Sequence, residues 1–146
     1  MYTSVNHTSF TVSDVDRSVT FYTDALGMKL LNISERDSEF SEQVTGIPGA
    51  HLKIAYVEAA NYRIELIQYL APAAEKIDTR TCNVGSAHVA FNVDDLQGMY
   101  EEMSGKGVKF ISEPCTIPAG PNKGGKVVYL EDPDSNTLEF IQPAPH

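Results

Sequence analysis

His7-Thr-Ser-Phe-Thr-Val-Ser-Asp-Val-Asp16 returns later in the chain as His88-Val-Ala-Phe-Asn-Val-Asp-Asp-Leu-Gln97, with His, Phe, Val and Asp matching in order. A second echo follows in the same sense, Ile64-Glu-Leu-Ile-Gln68 against Leu138-Glu-Phe-Ile-Gln142. Each half therefore opens on a His-bearing segment and closes on a Glu-bearing one. One echo arises easily by chance, whereas two in the same order point to duplication, so that one copy decides the fold of both.

Each copy reads as strand, helix, strand, strand, strand. Val5–Val12 alternates apolar and polar side chains as a half-buried strand does. Asp14 or Asp16 is placed to cap a helix whose apolar positions Val15, Val19, Tyr22 and Leu26 recur at helical spacing, and Gly27 is placed to stop it. Strands are expected over Lys29–Ile33, Leu52–Val57 and Tyr62–Gln68. The second copy runs through a strand over Ala87–Val93 and a helix carrying Leu96, Met99, Tyr100 and Met103, ended by Gly105 and Gly107. Strands over Val108–Ile111, Val127–Leu130 and Thr137–Ile141 complete it, the last two joined by a turn at Asp132-Pro-Asp-Ser-Asn136. Arg36–Ala50 and Glu113–Gly125 read as long loops, and Leu70–Ala87 as the connector between copies. The expected architecture is α+β, one domain over residues 1–146, with module 1 at about 1–70 and module 2 at about 87–142.

Successive strand residues face opposite ways. Phe10 and Val12, Ile64 and Leu66, Phe91 and Val93, Leu138 and Phe140 then make apolar faces suited to packing under a helix. The opposite faces carry small or polar residues together with His7, Glu65, His88 and Glu139. A carboxylate inside an otherwise apolar strand is costly to bury unless it is paired, protonated or bound to a cation. Two imidazoles and two carboxylates on one lined face meet that requirement with a single divalent ion. The plainer readings are a structural histidine and a salt-bridged glutamate, with Arg63 as a partner for Glu65; the symmetry of the two copies favours the metal. Tyr56 and Tyr129 fall in matching strands, either lining the cavity or packed in the core. His51 and the lysines Lys106, Lys109, Lys123 and Lys126 read as ordinary solvated surface.

Composition narrows the partners. The 146 residues are 42% hydrophobic and 21% charged, and 11 Lys+Arg against 20 Asp+Glu leave a formal charge of −9. A net acidic chain lacks the basic face that displaces counterions from phosphates, so no nucleic-acid partner is expected. No stretch approaches the ~20 apolar residues of a membrane span, and the start lacks a signal-peptide profile. Cys82 and Cys115 form no ligand-spaced pair and read as free thiols of a cytoplasmic protein.

His7 with Val12-Ser-Asp, Phe21-Tyr22…Leu26-Gly-Met28, Ile64-Glu-Leu66, His88-Val-Ala-Phe91 and Glu131-Asp-Pro-Asp-Ser-Asn…Leu138-Glu139 span almost the whole chain. In them the sequence resembles the vicinal oxygen chelate superfamily, which includes glyoxalase I, methylmalonyl-CoA epimerase, extradiol dioxygenases and bleomycin-resistance proteins. The resemblance implies paired βαβββ modules forming a half-open curved sheet around a metal-lined cavity, commonly in a homodimer. His7, Glu65, His88 and Glu139 match the ligand set of bacterial-type glyoxalase I, and the epimerase set except for its usual Gln at the Glu65 position. Four protein ligands leave two octahedral positions, enough for a chelating carbonyl substrate but without a seat for O₂. The expected function is a divalent-metal-dependent lyase or isomerase that abstracts a proton next to a carbonyl of a small bidentate substrate. Glu139 is expected as the base and Glu65 as its counterpart on the opposite face. The metal is nickel, cobalt, manganese, iron or zinc. A non-catalytic drug- or metabolite-binding protein is the alternative, and a ring-cleaving dioxygenase the third reading. Two positions depart from glyoxalase I: its Arg four residues after the first His and Asn four after the first Glu, both glutathione contacts, are Thr11 and Tyr69 here.

Overall fold

The alternation around Phe10 produces strand β1 over Thr8–Thr11 in a computed structural model that describes residues 1–146. Helix α1 (Val15–Thr20) follows and runs on into a π turn over Phe21–Ala25. Of the two candidate caps, Asp14 is the one used: its carboxylate accepts from the Arg17 N–H. Gln68 Oε1 accepts from the Val15 N–H at 2.9 Å, so two of the donors that a helix start leaves orphaned are satisfied. Gly27, at φ +73°, ends the segment in the left-handed region that a side chain disfavours.

Strands β2 (Lys29–Arg36), β3 (His51–Ala59) and β4 (Tyr62–Ala71) complete the first sheet, in the order β1-β4-β3-β2. β1 runs parallel to β4 and the remaining pairs are antiparallel. Phe10, Ala55, Val57, Ile64 and Leu66 are buried, as are Val15, Tyr22 and Leu26 of the helical segment. Complete burial of Val57, Ile64 and Leu66 is worth about 1.5–3 kcal/mol each, relative to exposure, which fixes the strand parity against a one-residue slip.

The stretch 36–50, expected as a loop, contains helix α2 over Ser38–Thr45. Its inward residue is the buried Ser41, while Phe40 and Val44 are exposed, so it shows no inward apolar stripe for periodicity to detect. Its ends were legible instead: Asp37 accepts from the Phe40 N–H, and Gly46 takes the left-handed C-cap conformation at φ 72°. β1 is also shorter than expected, with Val5 exposed ahead of it.

The second unit repeats the plan. β5 (His88–Asn92), α3 (Leu96–Gly105), β6 (Lys109–Phe110), β7 (Cys115–Thr116), β8 (Lys126–Glu131) and β9 (Thr137–Gln142) form a sheet ordered β5-β9-β8-β6, with β7 also paired to β8. β5 is parallel to β9, as β1 is to β4. Asp95 accepts from the Gly98 N–H, and Gln142 Oε1 accepts from the Leu96 N–H at 2.9 Å, repeating the Asp14 and Gln68 anchors bond for bond. The strand expected over Val108–Ile111 shrinks to two residues. Within the expected loop Glu113–Gly125, β7 and β8 pair and Ile117 exchanges two backbone hydrogen bonds with Gly124 and Gly125. The Asp132 carboxylate accepts from the N–H groups of Asp134 and Asn136 and so closes the turn before β9.

The chain divides into compact units at Met1–Ile77 and Asp78–His146, a boundary inside the connector 70–87. Two mixed sheets with flanking helices and no closed barrel make the fold α+β. No helix is long and apolar enough to cross a membrane.

Candidate metal and proton-transfer site

The strand pairings place one imidazole, one carboxylate and one phenol together in each unit. In the first, Glu65 lies at the same register as Ser9 on β1 and Tyr56 on β3. His7, just ahead of β1, points its Nε2 at Glu65 Oε1 from 3.4 Å, and its ring meets that of Tyr56 edge-on at 5.5 Å between centroids. In the second, Glu139 lies at the register of Ala90 on β5 and Tyr129 on β8. His88 Nε2 is 3.0 Å from Glu139 Oε2, and its ring lies 5.1 Å from that of Tyr129. The four sequence-selected residues thus resolve into two His–Glu pairs, one per unit.

The carboxylates differ in their surroundings. Glu65 is 8% exposed, a burial that is tolerable for an anion only with donors at hand. Ser9 Oγ–H donates to Oε1 at 3.0 Å and the Tyr56 hydroxyl donates to Oε2. Glu139 is half-buried and has His88 as its hydrogen-bond partner. Its neighbour Ala90 has no hydroxyl to offer. Burial, reinforced by the hydrogen bond to Glu65, pushes the Tyr56 phenol up to about 12. Burial and then the charge of Glu139 raise that of Tyr129. Both phenols are therefore neutral near neutral pH, and Tyr56 is the one that donates to its glutamate.

The donor chemistry suits a divalent ion. Asn6 Oδ1 lies 2.6 Å from His7 Nδ1. With Nδ1–H donating to Asn6, Nε2 keeps a lone pair that faces Glu65 and is available to a cation. Each pair supplies one nitrogen and one oxygen, and no group of three or more His, Cys, Asp or Glu side chains forms a candidate metal cluster. Arg63, the rival partner for Glu65, is exposed, and Glu65 takes its hydrogen bonds from Ser9 and Tyr56 instead.

The other sequence candidates are surface features. His51 Nε2 pairs with Glu35 at 3.1 Å, Lys106 with Glu102, and Lys109 with Glu131. Cys82 and Cys115 are free and exposed. Tyr56 and Tyr129 lie with the His–Glu pairs rather than in the core, a choice that their matching strand positions had left open. Ser9 was overlooked, although strand parity from His7 places it on the same face.

Comparison with known proteins identifies the family. The profile of the glyoxalase/bleomycin resistance protein/dioxygenase superfamily matches residues 4–140. The lactoylglutathione lyase of Haemophilus influenzae is 31% identical over 143 residues, covering 93% of this chain and 90% of that protein. A 2-epi-5-epi-valiolone epimerase from an Actinomyces species is 29% identical over 143 residues, covering 94% and 78%. Among solved structures, a glyoxalase family protein from Bacillus cereus superposes with a TM-score of 0.80 at 21% identity, covering 99% of this chain and 97% of its own. Glyoxalase I from Zea mays gives 0.67 at 28% identity over 96% of this chain and 44% of its own. With most of its length matched by the family profile and its two halves built on one strand–helix plan, the chain belongs to the glyoxalase/bleomycin resistance protein/dioxygenase superfamily.

Proposed function

We propose that this protein is a divalent-metal-dependent lyase or isomerase of the glyoxalase/epimerase type, acting on a small carbonyl compound that binds through two oxygens. The observation that carries this reading is the repetition of a His–Glu–Tyr cluster at equivalent strand positions of both units. His7 and Glu65 in the first unit, and His88 and Glu139 in the second, are the residues that would hold a divalent ion. A bound divalent ion supplies Lewis acidity that polarises a carbonyl and stabilises the charge of an enolate. Glu139, the less tethered carboxylate, takes the proton from the carbon beside the carbonyl and returns it to the same or the adjacent carbon. Glu65 is its counterpart in proton transfer. The names of the relatives, lyases and an epimerase, support chemistry of this class.

Thr11 and Tyr69 stand four residues beyond His7 and Glu65 on the same strand faces, and neither carries a charge to meet the carboxylates of glutathione. We therefore place the substrate among 2-oxoaldehyde adducts, hydroxyketones and thioesters rather than strictly glutathione conjugates. We also propose that the protein works as a homodimer in the cytoplasm, so that the mass expected in solution is twice 16.0 kDa.

Metal analysis of the purified protein, together with solvent-deuterium incorporation into these three carbonyl classes, tests the reading. Stoichiometric metal is expected, with exchange that stops on chelation and returns on reloading. A protein that takes up no metal and catalyses no exchange is a metabolite-binding member instead. Oxygen uptake with catechols assigns it to ring cleavage.

A further inference from the structure

The two clusters are built from similar parts but differ in what holds their carboxylates. Both oxygens of Glu65 are occupied, Oε1 by the Ser9 hydroxyl at 3.0 Å and Oε2 by the Tyr56 hydroxyl. The donors come from strands on either side of β4, so rotation of the carboxylate breaks both bonds. In the second unit Ala90 takes the place of Ser9, and Tyr129 lies against the His88 ring while His88 is the hydrogen-bond partner of Glu139.

We propose that Ser9 and Tyr56 are positioning residues that clamp Glu65 in one orientation, and that the absence of this clamp in the second unit leaves Glu139 as the carboxylate free to move. Building on the function proposed above, this divides the labour between two glutamates that are equivalent by sequence position: Glu65 is a fixed ligand and Glu139 a displaceable one. The Ser9 and Tyr56 hydroxyls on one side, and a methyl at residue 90 with Tyr129 against the His88 ring on the other, set that division. Two outer hydroxyls that hold a ligating carboxylate in place also raise metal affinity, because the ligand loses less freedom on binding.

The test has one arm that needs no metal. Side-chain carbon relaxation in the metal-free full chain is expected to give Glu65 a higher order parameter than Glu139. Ser9→Ala with Tyr56→Phe is expected to bring Glu65 down to the level of Glu139, Tyr129→Phe to change neither, and Ala90→Ser to raise Glu139. Equal mobility of the two glutamates in the wild-type chain, or a Tyr129→Phe effect as large as that of Tyr56→Phe, overturns the clamp. In the second arm, calorimetric titration with Ni²⁺ is expected to show affinity about 10- to 100-fold weaker for the Ser9→Ala/Tyr56→Phe protein than for wild type. Unchanged affinity removes the clamp's role in metal binding. No Ni²⁺ binding by the wild type refutes the metal reading of the preceding section, and the relaxation arm still decides the clamp.

Discussion

Replacing Gln68 by Met leaves a side chain of similar length and removes the acceptor of the Val15 N–H. Val15 is fully buried, so its N–H has no route to water when Gln68 Oε1 is gone. An orphaned buried donor costs about 1–3 kcal/mol, and the loss is not offset by Asp14, whose carboxylate is occupied with Arg17. We therefore expect Gln68→Met to destabilise the first unit by about 2 kcal/mol. Gln142→Met is expected to cost the second unit a similar amount, because Gln142 Oε1 accepts from the equally buried Leu96 N–H at the same 2.9 Å. In urea, with a slope of roughly 1–2 kcal/mol per molar for a unit of this size, the midpoint falls by about 1–2 M. Native-state hydrogen exchange adds a local readout, with faster exchange at Val15 in the first variant and at Leu96 in the second. A midpoint shift below about 0.3 M in both variants refutes the reasoning that these glutamines anchor helix to sheet.

Three further outcomes are expected. Glu139→Gln keeps an oxygen for the metal but removes the base, so deuterium exchange falls by about 10²-fold or more while metal content, measured by elemental analysis, persists; Glu65→Gln is expected to lose less activity than Glu139→Gln. Because the Tyr56 phenol is held up to about 12 in the folded protein against an ordinary value near 10, the folded state keeps a proton that the unfolded chain releases first. Its contribution to the stability of the metal-free protein is thus complete below about pH 10 and is lost as pH climbs towards 12; in Tyr56→Phe, denaturant midpoints fall less steeply across that window. With Thr11 and Tyr69 neutral, turnover of a hemithioacetal is expected to differ less than about tenfold between glutathione and an uncharged thiol, and a large preference for glutathione would count against the assigned substrate class.

The element order was largely legible because strand and helix periods are written into the burial pattern. The alternation about Phe10 and the helical spacing of Val15, Val19, Tyr22 and Leu26 leave little choice once one face must be apolar. α2 escaped because its apolar residues point outward, so only Asp37 and Gly46 marked it. β7 and the shortened β6 escaped because two-residue strands carry no period and form through pairing with β8. Of the candidate site, His7, Glu65, His88 and Glu139 were readable through the repeat, since a costly residue at the same place in two copies needs a shared reason.

The amino-acid sequence alone determined the duplication, the α+β class, the parity that puts each Glu opposite a helix-covered face, and the presence of one His and one Glu at matching places in each half. These are consequences of local periodicity and of two segments repeating in order. Tertiary structure decided which donors reach each carboxylate. Ser9, Tyr56 and Glu65 lie on three separate strands and meet only because β1, β4 and β3 are neighbours in register. The inequality of Glu65 and Glu139 is likewise a matter of cross-strand contact, because hydrogen bonds between sequence-distant side chains follow strand order, which no run of neighbouring residues encodes.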